Sequence, residues 1–349
     1  MKEIEAKLRA GMKQNRFPQK TQDEIVQFIS SFALYGFPES HAASFALIAY
    51  ASAFLKVRYL AAFTAALLNN YPMGFYHPST IVKDAQRHGL RVKPVDVTCS
   101  GWDCTIEHDK CQSLRLGFRY VKGLKRTAAD TLIAERERRP FQSISDLGSR
   151  VPQLSKAEFK TLAQIGALNN IEKKNGIHRR DALWLSQKAA QSVGPLFSGI
   201  LEPDTSSPLC RMNTTERLVA DYGGTGLSID RHPLFYRRKE LQETGVKTAK
   251  ELSQMPDGEN VCIAGCVITR QRPGTAHGFI FLSLEDETGI ANAIITPAFY
   301  AKNTMTVLHE RFVVIEGVLQ NKDNVVHVRA EKIMPLAALD IQTHARNFH

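Results

Sequence analysis

The chain has 349 residues, enough for two or three domains, and its 43% hydrophobic and 23% charged residues are typical of a folded protein rather than a disordered one. Its formal net charge of +10 favours a polyanionic partner, and nucleic acid is the commonest. The six cysteines include no CxxC pair, which argues against a zinc site. We expect a cytoplasmic protein with reduced thiols.

Residues 1–95 are predicted to be helical, since apolar residues recur at spacings of three to four. The amino terminus is charged and has no apolar signal core. The longest apolar run, Ala42 to Leu55, is too short to span a bilayer and predicts a buried helix, so we expect no membrane association. The remaining segments, in chain order, are a strand-rich connector (96–116), a helical hairpin region (117–172), a mixed linker region (173–256), a strand-rich domain (257–336) and a tail (337–349).

A basic hairpin is predicted around Gly123, in the sequence VKGLKRTAADTL. Glycine lets the backbone approach a phosphate, and the free N–H groups of the following helix favour the anion. Lys122, Lys125 and Arg126 add positive charge, as in a helix-hairpin-helix motif that binds phosphates without reading sequence. The alternative is a solvated, charged helix end. A second hinge, Ile165-Gly166-Ala167, has no basic residues nearby in the sequence and is interpreted as structural.

The carboxy-terminal third predicts an OB-fold barrel. A predicted helix, 298–309, lies between the third and fourth strands, which is the OB-fold order. The five predicted strands are 261–268, 278–284, 290–295, 312–319 and 325–330.

The second of these strands alternates, so that Ile280, Leu282 and Leu284 point one way and Phe279, Phe281 and Ser283 the other. If the aliphatic row faces the core, two phenylalanines lie outside with Arg270 and Arg272 nearby. Aromatic rings beside guanidinium groups suit stacked bases and a phosphate backbone. The alternative is that other parts of the protein cover both faces.

A third candidate contact is the end of the apolar helix. Lys56 and Arg58, with His41, are candidates for a nucleotide or phosphate contact in a cleft. The alternative is ordinary basic charge at a helix carboxyl end, which the helix dipole favours.

Carboxylates that could hold Mg²⁺ occur in two short clusters, Glu107-His108-Asp109 and Glu285-Asp286-Glu287. Both stand at predicted strand ends and are interpreted as turns rather than metal sites. The sequence has no P-loop, GxSxG or HExxH motif. We therefore predict no catalytic residue and no metal ligand in this chain, and a nuclease would need a carboxylate cluster that we do not find.

Several long motifs resemble one polymerase family. The segment from Tyr35 to Val97 resembles the distal fingers of the bacterial DNA polymerase III alpha subunit. The resemblance is closest to the error-prone paralogue that acts in translesion synthesis. The motifs that indicate this paralogue are PMGFY (72–76), ADYGGTGLSIDRHPL (220–234), RQRPGTAHGFIFLSLEDETG (270–289) and ARNFH (345–349).

The resemblance implies a multidomain α+β protein with a helical fingers-like region, a helix-hairpin-helix region and a five-stranded OB-fold barrel. In the family, a phosphoesterase-like domain and the palm precede the fingers, and the palm carries the catalytic aspartates. We therefore expect no cofactor in this chain, because Mg²⁺ would be bound by the palm. Residues 194–197, GPLF, partly match the family's clamp-binding peptide, but Gln191 is too far upstream to complete it.

The leading hypothesis is the DNA-binding carboxy-terminal portion of an error-prone DNA polymerase, which binds primer-template and single-stranded template in replication and translesion repair synthesis. The expected protein partners are a palm-bearing polymerase portion and other mutasome proteins. The alternative is a free-standing, non-catalytic nucleic-acid-binding or scaffolding protein built from the same modules.

Overall fold

The computed structural model describes residues 2–35, 39–72, 74, 76–108, 112–172, 177–189, 207–322, 325–336 and 346–348. Contacts between residues divide the chain into two compact units, Met1–Tyr59 and Leu60–His349. The division lies inside the predicted fingers-like region. The predicted clamp-peptide match at 194–197 lies outside the described residues.

The first unit contains three helices, α1 (Lys2–Gln14), α2 (Gln19–Tyr35) and α3 (Glu39–Arg58). Helices α1 and α2 share a small core in which Met12 and Val26 are both buried. An ion pair of 2.6 Å between Arg9 and Asp23 joins the same two helices at the surface.

Helix α3 has no buried residue over its described length and is exposed at nearly every position, so the prediction of a buried helix is wrong for this chain. Phe45, Leu47 and Tyr50 are 60%, 70% and 74% exposed, and its apolar residues surround the helix instead of forming one stripe. By length and composition, Ser40–Arg58 is the one helix among the described residues that could cross a membrane, and those two properties alone are weak evidence.

The second unit begins with a helical region. Its core includes Phe118, Leu132 and Phe159, which are fully buried. A small sheet in the order β1-β3-β2 packs beside the helices. The elements are α4 (Leu60–Asn69), α5 (Pro78–Arg87), β1 (Arg91–Lys93), β2 (Thr105–His108), β3 (Gln112–Arg115), α6 (Arg126–Arg138), α7 (Ile144–Arg150), α8 (Lys156–Gln164) and α9 (Arg179–Ala189).

The described part of the predicted linker region is folded onto its neighbours. Helix α10 (Thr214–Thr225) begins at a capping box formed by Asn213 and Glu216. Helix α11 (Arg238–Glu243), strand β4 (Val246–Lys247) and helix α12 (Ala249–Leu252) follow. Strand β4 pairs in parallel with the first barrel strand, so this segment extends the barrel sheet.

The carboxy-terminal strands close into a barrel in the order β5-β6-β7-β9-β8, with β8 pairing back onto β5. The predicted OB-fold order is confirmed, because helix α13 lies between the third and fourth strands. Strand β10 pairs in parallel with the end of β5. The elements are β5 (Asn260–Gln271), β6 (Ile280–Glu285), β7 (Ile290–Ile295), α13 (Pro297–His309), β8 (Phe312–Lys322), β9 (Val325–Pro335) and β10 (Arg346–Phe348).

Polar side chains of α5 connect the helical region to the barrel and to the segment that precedes the barrel. Arg87 of α5 donates to the Glu285 carboxylate at the end of β6, at 2.9 Å. Lys83 of the same helix is 5% exposed and donates to the carbonyl of Asp230. His232 is also 5% exposed, and its burial, together with the charges of Lys83 and Arg87, holds its pKa well below the usual value.

Candidate nucleic-acid interface

The first hairpin has the tight glycine turn before a helix that the sequence predicts. Gly123 has a φ of +80°, between a 3₁₀ turn (Phe118–Tyr120) and the start of α6. A Cβ built on Gly123 would meet no atom within 4 Å, so the backbone conformation rather than space requires glycine. Val121 and Leu124 are buried on either side and anchor an exposed tip.

The three predicted cations of this hairpin have different roles. Lys125 and Arg126 are exposed at the start of α6. The side chain of Lys122 instead donates to the carbonyl of Tyr222 in α10 at 3.0 Å, and partial burial lowers its pKa. Lys122 therefore links α10 to the hairpin although it is exposed, and its phosphate contact stays a prediction together with those of the other two cations.

The second turn resembles the first in its backbone, since Gly166 also has a φ of +80°. Arg179 covers it, because a Cβ on Gly166 would lie 2.9 Å from the Arg179 Nε. The Asp221 carboxylate accepts from Arg179 at 2.6 Å and neutralises it. The ion pair over this turn is consistent with the structural interpretation, which stays a prediction.

The alternation of β6 is also confirmed. Ile280, Leu282 and Leu284 are at most 3% exposed, whereas Phe279 and Phe281 are each 37% exposed. Phe281 lies opposite Gln271 on β5 and opposite Ile294 on β7. The outer face of the barrel therefore presents accessible aromatic rings, as expected.

The two predicted arginines beside these rings differ. Arg272 is exposed and its guanidinium carbon lies 5.1 Å from the centroid of the Tyr300 ring. Arg270 is 7% exposed and donates to the carbonyls of Val307 and Glu310 at the end of α13. The assignment of Arg270 to the DNA contact is therefore wrong, because its donors are used to tie α13 to the barrel.

A basic groove continues across the same barrel, with a volume of about 470 Å³. Its cationic lining comes from Lys322 and Arg329, beside His327, and Lys322 pairs with Asp257 of the same lining at 3.5 Å. Arg329 lies opposite Ile294, the neighbour of Phe281, so the groove and the aromatic rings share one outer face. Our sequence analysis missed these residues, although His327 and Arg329 alternate on β9 with Val328 and Ala330, which are buried.

The three candidates on α3 do not form one site. His41 stands in the first turn and Lys56 and Arg58 in the last. At 1.5 Å per residue, His41 and Lys56 are separated by roughly 22 Å along the axis. One phosphate cannot contact both ends, so His41 does not share a contact with Lys56 and Arg58, and its ring lies 4.5 Å from the Phe45 ring. The contact predicted for Lys56 and Arg58 stays a prediction.

The acidic clusters are occupied by partners within the protein. Asp286 accepts backbone N–H groups of Thr288 and Gly289, which is the predicted turn chemistry. Glu285 pairs with Arg87, and Glu287 pairs with Arg238 at 3.0 Å.

In the other cluster, hydrogen bonds from Arg115 and, to a smaller extent, from Lys93 lower the pKa of Glu107 to about 2. The Lys93 Nζ lies 2.6 Å from the Glu107 Oε2. Asp109 lies outside the described residues. Within the described ranges, no group of three or more His, Cys, Asp or Glu side chains is placed to hold a metal ion.

A helical region with an exposed hairpin, joined to a closed OB-fold barrel, is an architecture of multidomain nucleic-acid-binding proteins. Two family models agree: a helix-hairpin-helix motif matches residues 89–182, and an OB-fold nucleic acid binding domain matches residues 261–336. An asparaginyl-tRNA synthetase from Pyrococcus horikoshii aligns with 27% of this chain and 22% of its own at 26% identity, but the TM-score of 0.23 supports no argument.

Relatives specify the family further. An error-prone DNA polymerase of Anaeromyxobacter dehalogenans (strain 2CP-1 / ATCC BAA-258) is 41% identical over 99% of this chain and 31% of its own length. The error-prone DNA polymerase of Alkalilimnicola ehrlichii is 42% identical over 98% of this chain and 33% of its own length. The chain spans about a third of the length of these relatives. Nearly all of it is homologous to the carboxy-terminal portion of error-prone DNA polymerases, which confirms the predicted resemblance.

Proposed function

We propose that this chain is the DNA-binding portion of an error-prone DNA polymerase that acts in replication and in translesion repair synthesis. The observation that carries the proposal is homology to these polymerases over 99% of the chain, at 41% identity. The exposed hairpin at Gly123 and the exposed aromatic face of the barrel support it, because they offer the two kinds of contact that DNA needs.

In this proposal the hairpin binds the phosphate backbone of DNA through Lys125 and Arg126, in the primer-template and in the single-stranded template alike. The barrel binds the single-stranded template through Phe279, Phe281 and Arg272. Nucleotidyl transfer uses Mg²⁺ bound by palm carboxylates, and a palm-bearing polymerase portion is therefore the first expected partner. Other mutasome proteins are further partners under the same proposal.

The test is the salt dependence of DNA binding, measured by fluorescence anisotropy. The double variant Lys125→Ala, Arg126→Ala removes two exposed cations at the hairpin. On single strands the slope of log K against log salt should become shallower by about 1.4, because each neutralised phosphate contributes about 0.7. Lys122 is left in place because it contacts α10.

The matched control is Arg138→Ala, Arg139→Ala at the opposite end of α6. It removes the same charge from side chains that are 76% and 63% exposed, whose surface ion pairs contribute little stability. Its slope should stay near that of the unmodified chain. Equal slopes for both double variants would remove the hairpin from the interface.

A further inference from the structure

Trp102 is held rigidly beside the first hairpin. Its carbonyl accepts the N–H of Arg119 at 3.0 Å, and a Cβ on Gly117 would lie 2.3 Å from that oxygen. Two residues on, the side chain of Asn69 bonds both the N–H and the carbonyl of Cys104, at 2.8 and 3.0 Å. The ring is half-buried against the helical core, so the backbone of Trp102 is held and one part of the ring is packed before any ligand arrives.

The guanidinium of Arg126 covers this ring, with its central carbon 5.3 Å from the ring centroid. It is held weakly, because its ion pair with Asp130 spans 3.6 Å and the two side chains are 65% and 56% exposed. Arg126 is also the first residue of α6, directly after the Gly123 turn. The ring and the hairpin are therefore neighbours, joined by one side chain that can move.

We propose that Trp102 stacks on a base of single-stranded DNA next to the phosphate bound at the hairpin, and that Arg126 moves from the ring to that phosphate. This inference rests on the proposed DNA binding and adds a residue that phosphate binding alone does not require. A base stacks on an indole more strongly than an exposed guanidinium does, so the exchange is favourable.

The preferred ligand is a single strand, because a stacking ring needs an accessible base face. In a duplex those faces are covered by neighbouring base pairs, and the hairpin contacts reach only phosphates. Duplex DNA should therefore bind at the hairpin without contact to the indole face.

The two tryptophans of the chain, Trp102 and Trp184, permit a direct test. In a Trp184→Phe variant, Trp102 is the sole indole reporter. Titration with oligothymidylate should quench its emission, whereas a blunt duplex should bind by anisotropy without quenching it. In the same background, Trp102→Leu should weaken single-strand binding about tenfold and leave the salt slope unchanged, because stacking releases no counterions.

The quenching measurement keeps the test valid even if Trp102→Leu fails to fold, since it leaves Trp102 in place. Oligothymidylate binding without quenching, or equal quenching by the duplex, would overturn the inference and leave the proposed DNA binding intact. Absence of binding to either DNA in the anisotropy measurement would overturn the proposed function and this inference with it.

Discussion

Phe281 is exposed on the outer barrel face, and its substitution separates binding from folding. Phe281→Ala should weaken single-strand binding by about 1–3 kcal/mol, as loss of a stacked aromatic does. The free energy of unfolding should fall less than for a fully buried phenylalanine, because the residue is 37% exposed. Anisotropy with a short oligonucleotide and thermal unfolding of the same sample measure the two quantities.

The next residue of the strand is the matched control. Leu282 is 1% exposed, and Leu282→Ala should reduce the free energy of unfolding by about 2–5 kcal/mol. If Phe281→Ala unfolds the chain as Leu282→Ala does, Phe281 has a structural role and the outer face is not the binding face.

His232 gives the stability a specific pH dependence. Its folded pKa is well below the usual value because it is buried among the cations Lys83, Arg87 and Arg238. Below about pH 6.5 the unfolded chain gains a proton that the folded chain does not, so the free energy of unfolding falls with pH, by up to about 1.4 kcal/mol per pH unit.

The variant His232→Asn isolates this effect, because its amide oxygen can replace the Nδ1 that accepts the N–H of Leu234. Denaturant unfolding between pH 7 and 5 should show a shallower loss for this variant. Buried carboxyls such as Glu285 titrate in both proteins and cancel in the difference. Parallel curves would contradict a neutral, buried His232.

Local sequence could predict the positions of the cations but not their hydrogen-bond partners. Lys122 and Lys125 look equivalent beside Gly123, yet the partner of Lys122 is a carbonyl 100 residues away along the chain. Arg270 likewise uses carbonyls 37 and 40 residues away. The spacing of residues in the sequence predicts which of them are neighbours within one helix or strand. It does not predict contacts between elements that the tertiary fold brings together.

At the scale of elements, helix α10 packs against the second hairpin through one glycine. A Cβ on Gly224 would lie 2.4 Å from the Ile165 Cγ2, so Gly224→Ala should cost about 1–3 kcal/mol of unfolding free energy. The adjacent Gly223 has no atom within 4 Å of the same built position. Gly223→Ala should instead stabilise the chain by roughly 0.5–1 kcal/mol, as alanine does in a helix.

Chemical unfolding of these two glycine variants compares the same substitution at successive helical positions. Equal effects would mean that α10 is not pressed against α8. If only Gly224→Ala lowers the free energy of unfolding, the contact between Gly224 and Ile165 holds the motif 220–234 against the hairpin region.

Some elements could be predicted well because their pattern is local. The five barrel strands and their order follow from alternation and turns, and helix α13 begins at Pro297, one residue before the predicted start. The predicted ends of β5, β8 and β9 fall three to five residues short of the observed ones. Helix α3 shows the limit of such patterns. A helix that is apolar on all sides predicts burial, but the pattern does not say which surface encloses it.

At the scale of the whole molecule, we predict that the purified chain does not extend a primer. Its two acidic clusters are engaged, with Glu285 on Arg87 and Glu287 on Arg238, and nucleotide addition needs carboxylates that hold Mg²⁺. A primer-extension assay with four nucleotides and Mg²⁺ or Mn²⁺ should give no product above background. Extension that Glu285→Gln with Glu287→Gln abolishes would place a metal site at this turn.

The order of the regions could be predicted from residues and resemblance together, but their connection could not. The contact between the helical region and the barrel depends on Arg87 and Glu285, which are 198 residues apart. Each belongs to a helix or strand whose sequence pattern gives no indication of a partner elsewhere in the chain. Only the fold brings them together, and the same holds for Lys83 and the Asp230 carbonyl.

The exposure of helix α3 has a consequence for the abundance of this chain in a cell. Phe45, Leu47 and Tyr50 present the kind of surface by which chaperones and proteases recognise unfolded polypeptides. A copy that displays this helix would be subject to continuous turnover, whatever the stability of its barrel. Its cellular half-life, rather than its affinity for DNA, would then set how many molecules are present, and enclosure of α3 would lengthen that half-life.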